Sequence, residues 1–401
     1  MERVDEIDEE KNKIEVAHAK GFLKGILYGA LIIALLFLLP RFSYLSHQLE
    51  NINTVDKKLN EINYFVNKYF LYDKDLKNIE DYIAMGMMAG LDDKYAAYYN
   101  EEELEKFNET ANGEYVGIGV IVVKDSKDGL LTVTKIYDNS PAKQTKLAVG
   151  DKILYVDGED VTSYDTDEVV SLVKGEEGTN VKISVLKANG YDVEEYEITR
   201  QKIETEIVTG EMLDNELAYV YIDQFDGKAF DQMVQFENQF IEQKAKGLII
   251  DLRNNPGGSL GQLISISNIF LDDKLITYFQ YKNGERQDYY TGKGMWDIPV
   301  VILVNEYSAS AAEAFTGALK DNGRATVVGK TTFGKGIVQD MFSLSDGTAI
   351  KFTVADYYTP SDVNITGKGI TPDYEVENDN QYVDKQLEKA KEVLRDIIKN
   401  K

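Results

Sequence analysis

Two short runs in the second half of the chain, apolar except for Asp251, restrict its fold most strongly. Residues 247–252 and 299–304 have the length and composition of buried strands, and each run leads through a turn into a helical pattern. A strand that is apolar on both faces belongs inside a sheet that is covered on both sides. Strands that alternate with helices predict an α/β (α+β) core with much parallel pairing, which we assign to residues 201–378.

The composition argues against several classes of site. The net charge of −25 repels nucleic acid, so no nucleic-acid partner is expected. Cysteine is absent, and the two histidines, His18 and His47, both lie near the N-terminus. This argues against a cysteine nucleophile, a Ser-His-Asp triad and a zinc site in the main body. We expect no metal and no cofactor, and a serine nucleophile would need another base, usually a lysine whose pKa is lowered by desolvation.

A transmembrane segment is predicted at residues 21–40. The stretch is apolar up to Leu39 except for Lys24, and it is just long enough to span a bilayer. A cleaved signal peptide is the competing interpretation, but the long N-terminal region of mixed charge and the lack of a small-residue cleavage site favour a retained anchor. Lysines are in excess on the N-terminal side, which predicts a cytoplasmic segment at residues 1–20 and the bulk of the chain outside.

Helical patterning follows in residues 41–112. Apolar side chains recur there at spacings of three, four and seven: Leu49, Ile52, Leu59, Ile62 and Val66. This amphipathic helix can pair with a second copy to give a homodimer, or it can pack on its own domain, and both interpretations stay open. The helical pattern continues over residues 75–100, where Gly90 and the following aspartates stop it. A further amphipathic helix is predicted on the surface, within residues 379–401.

Residues 113–200 change to short strands and turns. Residues 115–123 are predicted as one strand entered through two glycines, which let backbone N–H groups converge into a nest for a carboxylate. Three motifs in order resemble a PDZ domain: Gly117-Ile118-Gly119-Val120, Asn139-Ser140-Pro141-Ala142 and Gly150-Asp151-Lys152-Ile153-Leu154. The resemblance implies that the first motif binds the C-terminus of a polypeptide by strand addition. A spacer built of tight turns is the alternative.

Ser310 is the candidate nucleophile. Together with Glu313 it forms a capping-box pattern, which by itself explains a serine at a helix start. The setting also suits catalysis, because a sharp turn exposes the hydroxyl and the helix N-terminus, with the unobstructed N–H of Ala311, supplies donors where an oxyanion would form. The glycines of the turn at Gly257 and Gly258 have two alternative explanations. The turn requires positive φ, or their N–H groups donate to the same oxyanion.

Lys335 is the candidate base. It lies between Gly334 and Gly336 in an apolar stretch, where desolvation would lower its pKa as a general base requires. A solvated surface lysine is the alternative. Gln339 would share a strand face with Lys335, and a neutral amide can orient the lysine without restoring its charge.

Three motifs occur in a fixed order in this half of the chain. They are Asp251-Leu252-Arg253-Asn254-Asn255-Pro256-Gly257-Gly258, then Ser308-Ala309-Ser310-Ala311-Ala312-Glu313, then Thr332-Phe333-Gly334-Lys335-Gly336 with Gln339. Together they resemble peptidase family S41, the carboxyl-terminal processing or tail-specific proteases. The resemblance implies a ClpP/crotonase-like protease core with an inserted PDZ domain. It also implies these roles: Ser310 as nucleophile, Lys335 as general base, Gln339 as its orienter, Gly257, Gly258 and Ala311 as oxyanion donors, and Glu313, Asp321, Thr332 and Arg253 as support.

The chain departs from the family pattern at two places. Ala312 stands where a serine is usual, and the common Leu-Asp-Pro-His-Ser stretch reads Leu91-Asp92-Asp93-Lys94-Tyr95 here. Neither departure replaces a member of the predicted dyad, so peptidase activity is still expected. Details of the cap over the site would differ.

The predicted function is a serine endopeptidase with a Ser/Lys dyad. It would cleave proteins recognised through exposed C-terminal tails, by way of an acyl-enzyme, with its catalytic domain on the extracytoplasmic side of the cell membrane and a single-pass anchor. A catalytically inactive, membrane-tethered PDZ scaffold is one alternative. A cytosolic esterase or acyl-CoA enzyme on the same core is another, which the anchor and the PDZ segment disfavour.

Overall fold

The computed structural model describes residues 54–125, 127–378 and 383–401. The chain divides into two compact units, residues 1–76 and 77–401. In the first unit, residues 54–69 are helical (α1), as the amphipathic pattern predicts. The predicted transmembrane segment at 21–40 lies outside the described residues, and no helix within the described ranges is long and apolar enough to cross a bilayer.

Helices and strands alternate along the rest of the described chain. The helices are α2 (Leu76–Ala89), α3 (Glu101–Asn112), α4 (Thr166–Val173), α5 (Ala229–Glu242), α6 (Leu260–Phe270), α7 (Ala311–Asp321) and α8 (Lys385–Asn400). The strands are β1 (Ala97–Tyr99), β2 (Glu114–Gly117), β3 (Val120–Lys124), β4 (Leu131–Ile136), β5 (Lys152–Val156), β6 (Glu159–Asp160), β7 (Asn180–Leu186), β8 (Val193–Thr199), β9 (Gln201–Glu204), β10 (Val208–Met212), β11 (Leu217–Ile222), β12 (Gly247–Asp251), β13 (Leu275–Tyr281), β14 (Arg286–Tyr290), β15 (Val300–Val304), β16 (Ala325–Gly329), β17 (Ile337–Ser343), β18 (Ala349–Tyr358) and β19 (Tyr374–Glu375).

A six-stranded sheet with the order β10-β11-β12-β15-β16-β19 forms the core of residues 201–378. Five neighbouring strands of this sheet run parallel: β11, β12, β15, β16 and β19. The edge strand β10 is antiparallel to β11. Side chains of β12 alternate between two apolar clusters: Leu248 and Ile250 belong with residues of α5, α6 and α7, whereas Ile249 belongs with residues of α8. Because both faces are covered, these strands can be apolar throughout, and the α/β prediction is confirmed.

The C-terminal helix α8 covers the second face of this sheet. Ala390, Val393 and Leu394 are buried in the same cluster as Ile249. An added Cβ at Gly247 would lie 2.8 Å from Leu394 Cγ, so the helix and β12 are in close contact. The prediction of a surface helix is therefore incomplete. Its apolar stripe is part of the core, and burial of one such leucine contributes about 1.5–3 kcal/mol.

The strand order determines where the three sequence motifs lie. β12, β15 and β16 are neighbours in the parallel sheet, so their carboxyl ends share one edge. The turn with Gly257 and Gly258 follows β12, Ser310 follows β15, and Lys335 follows β16. Loops at this edge of a parallel sheet are the usual place for a binding or catalytic site. Topology alone therefore brings the motifs to one edge.

A second, antiparallel sheet has the order β1-β18-β13-β14, with β17 also paired with β18. Helix α2 stops at Ala89, as the glycine and aspartates after it predict. The helical prediction is wrong for Ala97 to Tyr99, which pair with β18 as a strand. The chain turns at Asp92, whose φ of 54° is incompatible with a continuing helix. Helix α3 lies within the helical region predicted over residues 41–112, whereas the β13–β14 hairpin has no counterpart in the sequence prediction.

Residues 113–200 fold around their own sheet, β3-β4-β5-β7-β8, with β6 paired with β5. Ile118, Val133 and Val169 lie in its core. The prediction of one strand over residues 115–123 is wrong, because β2 pairs with β9 while β3 pairs with β4. The break includes Gly119, where φ is 80° and an added Cβ would lie 2.1 Å from Ser140 Cβ, so only glycine fits.

Candidate active site

Ser310 occupies a strained position directly before α7. Its φ of 55° and ψ of −118° lie outside the regions that residues other than glycine favour, at a cost of about 1–3 kcal/mol. Two contacts hold this backbone: its N–H donates to Glu313 Oε2 at 2.9 Å, and its carbonyl oxygen accepts from the Tyr357 hydroxyl at 3.1 Å. Strain of this kind clusters at active sites, where the surrounding structure maintains it.

Ser308, two residues earlier, has a structural role. Its hydroxyl is buried, donates to the carbonyl oxygen of Leu252 at 2.7 Å and accepts from the N–H of Asn305 at 3.0 Å. These bonds tie the loop after β15 to the end of β12. Ser310 is only half-buried, so the structure separates the two serines by their surroundings.

The glycine turn after β12 lies against Ser310. At Gly257, φ is 107° and an added Cβ would lie 2.7 Å from Ser310 Cβ; at Gly258, φ is 145° and an added Cβ would lie 2.5 Å from a backbone carbon. Both positions therefore require glycine. The N–H of Gly257 donates to Asn255 Oδ1 at 2.8 Å. The N–H groups of Gly258 and Ala311 have no partner in the described part of the chain, so these two are the donors left for a ligand.

One buried carboxylate joins Ser310 to Lys335. Glu313 Oε2 accepts from the N–H of Ser310 at 2.9 Å and from the N–H of Lys335 at 2.8 Å. Its Oε1 accepts from the hydroxyl of Thr332 and from the N–H of Gly334 at 2.7 Å. Four donors compensate for the complete burial of this charge. Glu313 therefore fixes the start of α7 relative to the loop that carries the lysine.

The surroundings of Lys335 favour its neutral form. Burial lowers the pKa of Lys335, and the ammonium groups of Lys351 and Lys94 lower it further. The carboxylates of Glu313 and Asp93 act in the opposite direction but are outweighed. A lysine whose pKa lies below its usual value can accept a proton closer to neutral pH, as a general base must.

The Lys335 ammonium lies on an aromatic ring. Its Nζ is 4.4 Å from the centroid of Tyr95, within the range of a cation–π contact. No hydrogen bond of Nζ, to Ser310 or to another residue of the described ranges, accompanies this contact. Tyr95 belongs to the stretch that departs from the family pattern. The sequence predicts no role for Tyr95, because no sequence pattern links it to Lys335, which is distant along the chain.

Gln339 forms no hydrogen bond with Lys335 in the described ranges. Its Nε2 donates to Thr353 Oγ1 at 3.5 Å, a long hydrogen bond. A shared face with Lys335 stays a prediction, because Lys335 lies outside β17, which begins at Ile337.

Two family positions outside the immediate site support the scaffold. Arg253 forms ion pairs with Asp251 and, at 2.8 Å, with Asp384, the residue that caps α8. Asp321, at the end of α7, accepts from the N–H of Ser361 at 3.0 Å. These contacts attach the two helices to the loops around the sheet edge.

The PDZ-like loop borders an apolar cavity of about 290 Å³. Val120 of β3 and Val169 of α4 are among the residues that line it. Gly117 ends the pairing of β2 with β9, and the next two N–H groups, of Ile118 and Gly119, have no partner in the described ranges. The predicted loop therefore combines an apolar groove with two available donors.

Serine hydrolases bring a hydroxyl, a base and backbone N–H groups to one place. The loops at the edge formed by β12, β15 and β16 carry a serine, a lysine and backbone N–H groups, with no histidine, and the groove of the inserted domain has the features needed to hold a peptide end. The fold and the site together define the class of a serine peptidase.

Known families match both parts of the chain. A model of peptidase family S41 matches residues 216–376, and a PDZ domain model matches residues 132–187. The chain is 34% identical over 339 residues to the carboxyl-terminal-processing protease of Synechocystis sp., covering 83% of this chain and 79% of that protein. It is 34% identical over 333 residues to the carboxy-terminal processing protease CtpA of Bacillus subtilis, covering 82% and 71%. A solved photosystem II D1 C-terminal processing protease is 27% identical, covers 83% of this chain and 90% of that chain, and has a TM-score of 0.48.

The chain therefore belongs to peptidase family S41 and is a serine peptidase with a PDZ domain. This confirms the resemblance, the mixed α/β protease fold and the enzyme class that the sequence predicts.

Proposed function

We propose that this peptidase is an endopeptidase that uses Ser310 and Lys335 as its dyad and cleaves proteins selected by their C-terminal tails. The observation that carries the proposal is the carboxylate of Glu313, which accepts from the backbone N–H of both residues. Relatives named as carboxyl-terminal processing proteases support the substrate class.

The dyad acts through a single proton. Neutral Lys335 removes the hydroxyl proton of Ser310 as Oγ bonds to the scissile carbonyl carbon. The N–H groups of Gly258 and Ala311 stabilise the negative charge that develops on the carbonyl oxygen, aided by the N-terminus of α7. The C–N bond then breaks, and the Lys335 ammonium gives its proton to the leaving amine. Water deprotonated by Lys335 releases the acyl group, and the proton returns to Ser310.

This reaction requires a movement of Lys335. Its amine must leave the ring of Tyr95 and reach the hydroxyl of Ser310. Gln339 would orient the neutral amine after releasing Thr353, its partner at 3.5 Å. A cation–π contact contributes only about 0.5–2 kcal/mol, which substrate binding can offset. Docking of a tail in the PDZ groove would favour the active arrangement in this way.

The substrate tail docks in the PDZ groove in this proposal. Its terminal carboxylate accepts from the N–H groups of Ile118 and Gly119, and its last side chain enters the cavity beside Val120 and Val169. A chain held by its end presents an upstream peptide bond for cleavage.

The proposed location is the outer side of the cell membrane, with residues 21–40 as a single anchor. The apolar length of this segment and the distribution of lysines support it. Fractionation of cells, followed by protease treatment of intact cells, tests it. The chain should remain with the membranes and be digested from outside; protection from the added protease would contradict the orientation.

A homodimer through α1 is the proposed oligomeric state. Apolar side chains of this helix are solvent-accessible, Ile62 with an exposed fraction of 51%. Sedimentation of the wild type and of Ile62→Glu tests it, since a charge at this position should leave only monomer. A monomeric wild type at micromolar concentration would contradict the dimer.

Substitution of the nucleophile tests the peptidase mechanism. Ser310→Ala should abolish cleavage of a substrate with a free tail, and a fluorophosphonate should label the wild type at Ser310 only. An inactive PDZ scaffold would bind the tail with neither labelling nor cleavage. Undiminished cleavage by Ser310→Ala would rule out the assignment of the nucleophile.

A further inference from the structure

Two lysines beside the candidate site have no carboxylate partner. Within the described ranges neither Lys94 nor Lys351 forms an ion pair, although acidic residues outnumber basic ones by 69 to 44. Lys94 Nζ lies 4.8 Å from the ring centroid of Tyr95 and 5.8 Å from that of Phe333. Lys351 Nζ lies 5.1 Å from the ring centroid of Tyr99. Aromatic faces hold these ammonium groups without neutralising them.

Both lysines lie close to Lys335, and the three form a lysine cluster. Lys94 and Lys335 contact the same aromatic ring. Asp93 accepts from the N–H of Thr353 at 2.8 Å, which attaches the loop with Lys94 to β18. Lys351 stands two residues before Thr353, on the same strand face. In accord with this proximity, Lys351 and Lys94 add to the effect of burial in lowering the pKa of Lys335.

The two carboxylates that act on Lys335 are already bonded to other groups. Asp93 Oδ1 accepts from the N–H of Tyr95 at 3.0 Å and its Oδ2 from the N–H of Thr353. Glu313 is buried and accepts from four protein donors. Both carboxylates therefore bind backbone N–H groups rather than Lys94 or Lys351, and Lys94 is exposed to solvent.

We infer that Lys94 and Lys351 select substrates with an Asp or Glu side chain within a few residues of the scissile bond. The inference rests on the proposed function, in which the terminal carboxylate of the tail is held at Ile118 and Gly119. A carboxylate that reaches the lysine cluster is therefore a side chain. Each ion pair of this exposed kind favours the acidic substrate by up to about fivefold. The ammonium groups of Lys94 and Lys351 also attract acidic side chains, which a chain with a net charge of −25 otherwise repels.

A pair of peptides that differ only in Glu or Gln beside the cleaved bond tests the inference. Both carry the same free C-terminus, and kcat/KM is measured for the wild type, Lys94→Gln, Lys351→Gln and the double variant. We expect the wild type to prefer the Glu peptide, each single variant to lose up to about fivefold of this preference, and the double variant to show none. Loss of a neighbouring cation also raises the pKa of Lys335 and slows the cleavage of both peptides. The quantity to compare is therefore the ratio of kcat/KM for the Glu peptide to kcat/KM for the Gln peptide.

Lys246→Gln is the matched control. It makes the same change in charge, but Lys246 directly precedes β12, at the opposite edge of the sheet, and pairs with Glu216. Its Glu-to-Gln ratio should equal that of the wild type. An unchanged ratio in the double variant would overturn the inference.

Binding provides a measurement that needs no turnover. Amidated versions of both peptides, which lack the terminal carboxylate for the PDZ groove, are titrated against the Ser310→Ala protein by fluorescence anisotropy. The Glu peptide should bind more tightly, and less so at high salt. Failure of the wild type to cleave either peptide would count against the proposed function alone. Equal affinity for the two amidated peptides would count against the selection of acidic substrates.

Discussion

The Nζ of Lys335 lies 4.4 Å from the ring centroid of Tyr95. A cation–π contact stabilises the protonated lysine, whereas burial and the two neighbouring lysines lower the pKa of Lys335 and favour the neutral amine. These surroundings therefore act on the pKa of the proposed base in opposite directions, and its position on the ring favours the charged lysine.

Tyr95→Leu should therefore shift the pH profile to lower pH. Loss of the ring removes a contact of the ammonium, so the pKa of Lys335 falls further. The neutral base is then available at lower pH, and the acid limb of kcat/KM moves in that direction. Tyr155→Leu, an exposed tyrosine of β5, is the control and should leave the profile unchanged. A shift of the acid limb to higher pH would mean that Tyr95 helps the neutral amine.

Lys335→Arg should be as inactive as Lys335→Ala. A guanidinium stays charged at all working pH values and cannot accept the proton of Ser310. Loss of a general base costs about 10²–10⁴-fold in rate, which progress curves on a tailed substrate measure. Lys330→Arg is the control, because Lys330 makes surface ion pairs with Glu306 and Glu377, both at 3.5 Å, and arginine can keep them. Partial activity of Lys335→Arg would exclude the lysine as base.

Glu313→Gln should lower both stability and activity. The amide has one acceptor oxygen for four donors and adds an NH2 group in a fully buried site. Each buried group left unsatisfied costs about 1–3 kcal/mol, so the melting temperature should fall by several degrees. The loop of Lys335 should also lose its attachment to the start of α7. As a result, kcat should fall more than the decrease in the folded fraction of the protein accounts for.

Glu306→Gln is the matched control for that substitution. Glu306 is exposed and pairs with Lys330 at the surface, so the same chemical change should alter the melting temperature little. A Glu313→Gln protein with the stability and turnover of the wild type would show that the shared carboxylate does not hold the dyad.

The sequence predicts the parts of this site better than their arrangement. Apolar runs identify β12 and β15 because buried strands need no polar face. Glu313 is recognisable as a capping residue, since that pattern spans only three positions. Its bond to the N–H of Lys335 joins residues 22 positions apart, and it depends on the strand order that places β16 beside β15. The periodicity of the sequence does not indicate the order of the strands in the sheet.

Two further details depend on tertiary structure alone. Strand alternation predicts a shared face for Lys335 and Gln339, but β17 begins at Ile337, so the orientation of Lys335 depends on the loop before the strand. Tyr95 reaches Lys335 only because the N–H of Thr353 donates to Asp93, a bond between residues 260 positions apart. Contacts of this length are set by packing, which a single sequence does not display.

Gly119→Ala should abolish recognition of tails while leaving the protease core intact. An added Cβ would lie 2.1 Å from Ser140 Cβ, so the loop of Ile118 must move and its N–H groups lose their arrangement. The expected result is a loss of at least about tenfold in affinity for a peptide with a free C-terminus, measured by fluorescence anisotropy, and no change for its amide. Fluorophosphonate labelling of Ser310 should persist.

Gly158→Ala separates this effect from simple backbone strain. Gly158 also has a positive φ, 85°, but an added Cβ there meets nothing within 4 Å. Both substitutions cost about 1–2 kcal/mol through the unfavourable backbone conformation. Gly119→Ala should lower the melting temperature of the PDZ domain further, because its methyl group also collides with Ser140. Only Gly119→Ala should weaken binding of the free C-terminus, because only there does the new methyl group collide with the loop. Equal tail affinity in the two variants would place the carboxylate-binding site elsewhere in the domain.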